Sequence, residues 1–165
     1  MDGIHMVRLV VPESAIDLNG HVNNIEYLRW MQAIATSHSA ARGWTLERYR
    51  QTRCSWVVRS HFIEYLRPAF AGQTLLLLTW IATTGQCEST RRYLFWREAD
   101  RRLIAQAETA WVFVSARSGR KTRIPEEFRQ VFKLLDDQQA LLQQLEVGAF
   151  ESEQGIGTLE GFAQM

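Results

Sequence analysis

Asn24-Ile25-Glu26-Tyr27-Leu28-Arg29-Trp30-Met31-Gln32-Ala33-Ile34-Ala35-Thr36-Ser37-His38-Ser39-Ala40-Ala41-Arg42 is the stretch that decides the fold. Ile25, Leu28, Met31 and Ala35 recur at helical spacing, with Tyr27, Trp30 and Ile34 beside them. Asn23 stands where an N-cap belongs, Glu26 follows at capping-box spacing, and Gly43 is a natural stop. The predicted helix, residues 24–42, is about 28 Å long at 1.5 Å per residue. Apolar residues lie on more than one side of it, so it is expected to be surrounded rather than laid on a surface.

Strand signals flank this helix. Residues 4–11 alternate loosely and are rich in branched aliphatics. Residues 12–23 are polar, with Pro12 and Gly20 as breakers, and read as a long connection. Beyond the helix come four more strands, at residues 54–67, 74–84, 87–98 and 102–117, carrying β-branched and aromatic side chains. Their short connections favour antiparallel neighbours. Pro125 opens a short helical stretch through Phe132, and a Leu- and Gln-rich helix is expected to continue to Glu146. One long helix against a five-stranded antiparallel sheet is an α+β two-layer solution. Residues 1–146 are expected to form one domain. Residues 147–165, with Gly148, Gly155, Gly157 and Gly161 and no clear period, are expected to be a mobile tail.

Composition narrows the function. The formal net charge of +1 gives no basic excess, so no nucleic-acid partner is expected. No apolar run approaches the roughly 20 residues that cross a bilayer, so no membrane insertion is expected. The first residues lack a secretory pattern, and Cys54 and Cys87 read as free thiols of a reducing compartment; the expected location is cytoplasmic. Either cysteine reads more simply as a small buried hydrophobe than as a nucleophile. The spacings of His5, His21, His38, His61 and the two cysteines match no metal signature, so no metal is expected. There is no Gly-x-Ser-x-Gly elbow and no phosphate-cradling glycine loop.

Reactive side chains concentrate just ahead of the long helix: Asp17, Asn19, His21, Asn23 and Asn24. Such residues also make ordinary turns and caps. Their position adds a chemical reading. Unpaired N–H groups and the positive end of a helix dipole stabilise negative charge, including a carbonyl oxygen becoming an oxyanion. Asp17 there is suited to act as nucleophile or as base for an attacking water. His21 is suited to orient a group or shuttle a proton.

The run Asp17-Leu-Asn19-Gly-His21-Val-Asn23-Asn24-Ile-Glu-Tyr27-Leu-Arg-Trp30 resembles the motif that opens the central helix of hotdog-fold thioesterases. The branch it is most similar to is the 4-hydroxybenzoyl-CoA thioesterase-like acyl-CoA thioesterases; plant acyl-ACP thioesterases carry a similar Asp-x-Asn-x-His-Val-Asn-Asn run. Val57-Val58-Arg59, Ile63-Glu64-Tyr65-Leu66-Arg67-Pro68-Ala69 and Gly72-Gln73-Thr74-Leu75 follow in family order, as does Ser118-Gly119-Arg120-Lys121 before Ile124-Pro125. The resemblance covers roughly residues 7–132.

This resemblance implies a hotdog fold, a sheet wrapped around one central helix, and hydrolysis of an acyl-CoA to a carboxylic acid and free CoA. It implies no cofactor, since coenzyme A is part of the substrate. A homodimer with sheets joined edge to edge is implied, pairing further into a homotetramer. By position, Asp17 matches the catalytic carboxylate, and the N–H near Asn24 matches the group that polarises the carbonyl. Asn19 and His21 match residues implicated in the plant-type branch. Tyr27, Arg59, His61 and Tyr65 are expected on the substrate, and Arg91, Arg92, Arg120 and Lys121 near the CoA phosphates. Trp30, Trp56 and Phe62 are further candidates for an acyl pocket. Ala15 and Gln73 depart from the pattern, each standing where relatives commonly carry Asp. The same fold also hosts hydratases and dehydratases of enoyl thioesters, and a non-catalytic acyl-CoA-binding protein would keep the pocket alone.

Overall fold

The computed structural model describes residues 3–135, 137–148 and 157–158. Strand β3 (Thr74–Thr84) is buried from Leu75 through Ala82, on both its faces. A strand with that pattern needs a layer on each side. It is therefore central. The sheet runs β2 (Cys54–Tyr65), β5 (Arg102–Ser115), β4 (Glu88–Arg97), β3, β1 (His5–Val10), with every neighbouring pair antiparallel. A two-residue strand, β6 (Gly157–Thr158), adds a parallel partner to β1, a pairing that sequence had not indicated.

The long helix α1 (Asn24–Ala41) lies against the inner face of the sheet. Tyr27, Trp30, Met31 and Ile34 pack there on Val7, Leu75, Leu77, Tyr93 and Phe95. Each fully buried side chain of this kind contributes roughly 1.5–3 kcal/mol. The outer face carries Met6, Leu76, Leu78, Trp80 and Trp96, and helix α4 (Gln138–Val147) covers it with Leu141 and Leu145. At the far end of α1, helices α2 (Leu46–Thr52) and α3 (Glu126–Val131) close an aromatic cluster of Trp44, Phe113, Phe128 and Phe132.

The five antiparallel strands and the helix match the expectation, and four details correct it. First, α1 is not surrounded: Ile25 is 56% exposed, and Arg29, Gln32, Thr36 and Ala40 line an open side. The buried stripe begins at Tyr27 instead. Second, Asn23 caps the helix by accepting from the Ile25 N–H at 3.0 Å, yet Glu26 does not complete a capping box. The Asn23 N–H is already bonded to Ala15 O at 2.9 Å, and Glu26 pairs with Arg29. Third, helix α2, capped by Thr45, was not anticipated. Fourth, α3 and α4 are separate: α3 ends at Val131, α4 begins at Gln138, and the Leu135 N–H bonds Ile81 O at 3.1 Å. The expected mobile tail falls mostly on residues 149–156 and 159–165, which lie outside the described residues. Among the described residues, no helix is long and apolar enough to cross a membrane.

A bulge at Arg59 shapes the edge strand. Val58 pairs with Trp111 and Ser60 with Ala110, so Arg59 has no opposite number. Side chains before it face inward at Cys54 and Trp56; after it they face inward at His61, Ile63 and Tyr65. One strand thus serves both ends of α1.

Candidate active site

The connection before α1 folds into a small hairpin. Ile16 and Val22 form an antiparallel bridge, the Asp17 N–H donates to His21 O at 3.0 Å, and the Gly20 N–H donates to Asp17 O at 3.0 Å. Gly20 sits at φ +80°, where a side chain would be strained. The Asp17 carboxylate accepts from the Asn19 N–H at 2.8 Å, an Asx turn, and from Asn19 Nδ2 at 3.5 Å. It remains partly exposed and shares a shallow depression with Asn19 and Asn23. His21 is half-buried; its Nδ1 lies 3.4 Å from Val22 O, and no hydrogen bond joins its ring to Asp17.

The hairpin delivers the chain to the helix start. The Val22 N–H donates to Ala69 O at 2.9 Å, which ties the entry to the turn after β2. With Asn23 Oδ1 and Asn23 O occupied by Ile25 and Glu26, the Asn24 N–H finds no acceptor among the described residues. It is the first N–H of the helix and free to meet a ligand. The Tyr65 hydroxyl donates to Asn24 O at 3.3 Å, so the edge strand reaches this point. Tyr27 is core rather than lining: it packs edge-on to Tyr65 and Phe95, and burial pushes its hydroxyl up to about 12.

A second, aromatic cleft lies further along α1. It has a volume of about 530 Å³, in the range of ligand sites, and lies between Gln32, Ala35, Thr36 and Ser39 of the helix and the Trp56–Val58 end of β2. Trp44, Tyr49, Trp111 and Phe128 give it aromatic walls. Arg91 lines it from β4. Behind Arg91, His38 and His5 stack with ring centroids 5.2 Å apart. Burial first, then the positive charge of Arg91, holds both rings neutral; His5 falls to about 4 and His38 lower still.

The sequence profile described as the thioesterase-like superfamily matches residues 10–132. The chain belongs to that superfamily. No curated protein sequence matches it. Among solved structures it is similar to a 1,4-dihydroxy-2-naphthoyl-CoA thioesterase from Synechocystis, 18% identical over 78% of this chain and 95% of that one, with TM-score 0.72. A DHNA-CoA thioesterase from Staphylococcus aureus is 12% identical over 90% and 97%, with TM-score 0.72. A further Staphylococcus aureus protein, solved in complex with CoA, is 16% identical over 79% and 83%, with TM-score 0.74. The fold is the hotdog fold.

Within this thioesterase-like chain the expected site residues fall into separate groups. Asp17, Asn19, His21, Asn23, Asn24 and Tyr65 gather at the helix N-terminus. His61 is half-buried on the inner face, with Nδ1 2.8 Å from Thr109 Oγ1. Arg59 and Lys121 converge on Glu88, at 3.3 and 2.6 Å, and the exposed Arg120 adjoins them. Arg92 faces outward and pairs with Glu108 at 3.1 Å. Arg91 corrects its expected position: it is 5% exposed and points into the interior, not to a charged rim. Phe62 faces outward and is exposed, while Trp30 belongs to the core. Sequence reading missed Trp44, Tyr49, Trp111 and Phe128 as cleft walls, because aromatics are as common in cores as in pockets.

Proposed function

We propose that the chain is a cytoplasmic acyl-CoA thioesterase that acts as a homodimer. The free Asn24 N–H, set beside the Asp17 hairpin, carries this reading. The substrate carbonyl rests against that N–H and the helix end, which stabilise the developing oxyanion. Asp17 either attacks the carbonyl, giving a mixed anhydride that water cleaves, or takes a proton from water that attacks directly. In both routes the C–S bond breaks, CoA leaves as the thiol, and the acyl group leaves as the acid. Asn19 holds the Asp17 carboxylate through the Asx turn, Asn23 fixes the helix cap, and His21 of the same hairpin assists a proton transfer.

Strand β2 supports the homodimer. Its outer edge has no partner strand among the described residues, it is 12 residues long, and it exposes Val57, Phe62 and Tyr65. A free edge of that length and composition favours pairing with a second copy. Antiparallel pairing about the Arg59 bulge brings the Trp56–Val58 end of one β2 beside the Tyr65 end of the other. The cleft of one protomer then opens next to Asn24 of its partner. Helix α4 already occupies the outer face of the sheet, which favours a dimer over a tetramer made by stacking those faces. The Arg59, Arg120 and Lys121 cluster is placed for CoA phosphates at the rim, with Glu88 to be displaced. The unpaired Cys54 and Cys87 agree with a reducing compartment.

Free-thiol release from acyl-CoAs of graded chain length tests the function. Turnover of at least one member is expected. Loss of enoyl absorbance without thiol release would assign a hydratase instead, and saturable binding without either would assign a binding protein.

A further inference from the structure

Arg91 carries a positive charge into the protein and meets no carboxylate among the described residues. Arg8, Arg29, Arg50, Arg59, Arg92 and Arg97 each pair with Glu or Asp. Arg91 is buried and does not. Its polar contacts among the described residues are His38 Nδ1 at 2.9 Å and Thr79 Oγ1 at 3.3 Å, both from Nη1. Neither partner neutralises it. Thr79 is uncharged, and His38 accepts the bond only as a neutral ring, held so by burial and by Arg91 itself. Burial lowers the guanidinium pKa as well, but a delocalised guanidinium keeps its proton in proteins. A buried charge without a counter-ion is among the costlier features a fold can hold.

The cleft is where the missing anion fits. Arg91 lines it together with Ser39 and Ser89, its other buried polar residues, amid walls of Trp44, Trp56 and Phe128. A guanidinium offers five donors in a planar fork, and two contacts engage a single nitrogen here. A carboxylate takes two parallel bonds from such a fork and cancels one charge. The phosphates of CoA carry more charge than one guanidinium cancels, and the exposed Arg59, Arg120 and Lys121 suit them better. An all-alkyl acyl chain would leave the charge unpaired.

We propose that Arg91 sets substrate specificity by pairing with a carboxylate at the distal end of the acyl group, so that the cleft takes ω-carboxyacyl thioesters. The thioester half of this statement rests on the function proposed above. The carboxylate half rests on Arg91 and the cleft alone.

Adipyl-CoA and hexanoyl-CoA, equal in chain length, are compared by free-thiol release with wild type, Arg91→Met and Arg91→Gln. Gln retains a donor for Thr79 and His38 while removing the charge. The wild-type kcat/KM ratio of adipyl- to hexanoyl-CoA is expected to exceed tenfold. Both variants should lower that ratio at least about 30-fold, the loss of one desolvated charge pair. In parallel, adipate and the neutral hexanamide are titrated against thermal unfolding, which needs no turnover. Stabilisation by adipate alone, absent in Arg91→Met, supports the inference even if neither thioester is hydrolysed; that result would remove the hydrolase reading only. Hydrolysis that prefers hexanoyl-CoA, with an unchanged ratio in the variants and no adipate stabilisation, overturns the inference and leaves the hydrolase reading intact. If both variants unfold, the wild-type ratio and the adipate titration decide.

Discussion

Replacing Asp17 separates its chemistry from its turn. The Asx turn needs only an acceptor at Oδ1, which bonds the Asn19 N–H at 2.8 Å. Asn at position 17 keeps that acceptor and removes the charge; Ala removes both. Loss of a nucleophile or base is expected to lower kcat by about 10²–10⁴, or about 3–5 kcal/mol at 1.36 kcal/mol per decade. The turn bond is solvent-exposed, so its loss lies at the low end of hydrogen-bond contributions, about 0.5–1 kcal/mol. That is about 1–4 °C in Tm for a chain of this size. Asp17→Asn should therefore lose turnover with Tm within about 1 °C of wild type. Asp17→Ala should lose turnover equally and melt a few degrees lower. Free-thiol release and thermal unfolding on the same samples read both quantities. Asn-variant turnover within threefold of wild type would refute the catalytic assignment. Equal melting of the two variants would refute the turn argument and leave the chemistry standing.

The edge strand gives a second prediction. Phe62 is 68% exposed, so roughly 140 Å² of its surface is available for burial, worth about 3 kcal/mol per protomer. Phe62→Lys should shift the dimer toward monomer in sedimentation velocity and lower turnover with it; an unchanged dimer places the interface elsewhere. Stability should also depend on pH. His5 and His38 stay neutral in the fold while unfolded histidines protonate below about 6.5, so unfolding takes up protons as pH falls. Stability is then fully present above about pH 6.5. It declines on acidification at about 1 kcal/mol per pH unit for His38 and less for the part-exposed His5, whose share ends near its folded value of about 4. Urea unfolding at pH 7 and 5 measures this, and His38→Gln should flatten the dependence. Leu141 is fully buried between α4 and the outer sheet face; Leu141→Ala should cost about 2–5 kcal/mol by denaturant unfolding, with turnover per folded molecule retained.

The parts of the molecule that were legible in sequence are those whose signal is local. Residues 24–41 form their helix for the reason their spacing gives, and Asn23 caps it as its position implies. The Asp17 hairpin is likewise local, with four of its residues bonded among themselves. Illegible features depend on neighbours distant in sequence. The Glu26 capping box fails because Ala15 O claims the Asn23 N–H. Ala15 itself is buried, so the position where relatives commonly carry Asp serves here as a core contact. Arg91 and Arg92 looked alike because β4 is apolar on both faces: Tyr93 and Phe95 face α1, and Leu94 and Trp96 face α4. With both faces apolar, alternation cannot say which arginine points inward, and only the sheet register decides.

The same dependence on distance bears on the site as a whole. Asn24 lies 8 residues before Gln32 and 15 before Ser39, the span over which α1 borders the cleft. At 1.5 Å per residue that is about 12 to 22 Å along the helix, further than a carbonyl and its acyl chain of moderate length are joined. Within one protomer, then, Asp17 and the aromatic cleft do not form one compact site. The proposed pairing of β2 resolves the separation, since the strand's two ends lie at the two halves: Tyr65 touches Asn24, and Trp56 borders the cleft. An antiparallel partner exchanges those ends. In the proposed dimer, the Asp17 loop near the start of one helix and the cleft near the end of the other become neighbours across the two-fold axis. Monomeric variants should therefore lose hydrolysis while keeping the fold, and an obligately monomeric protein with full turnover would place the acyl group outside this cleft.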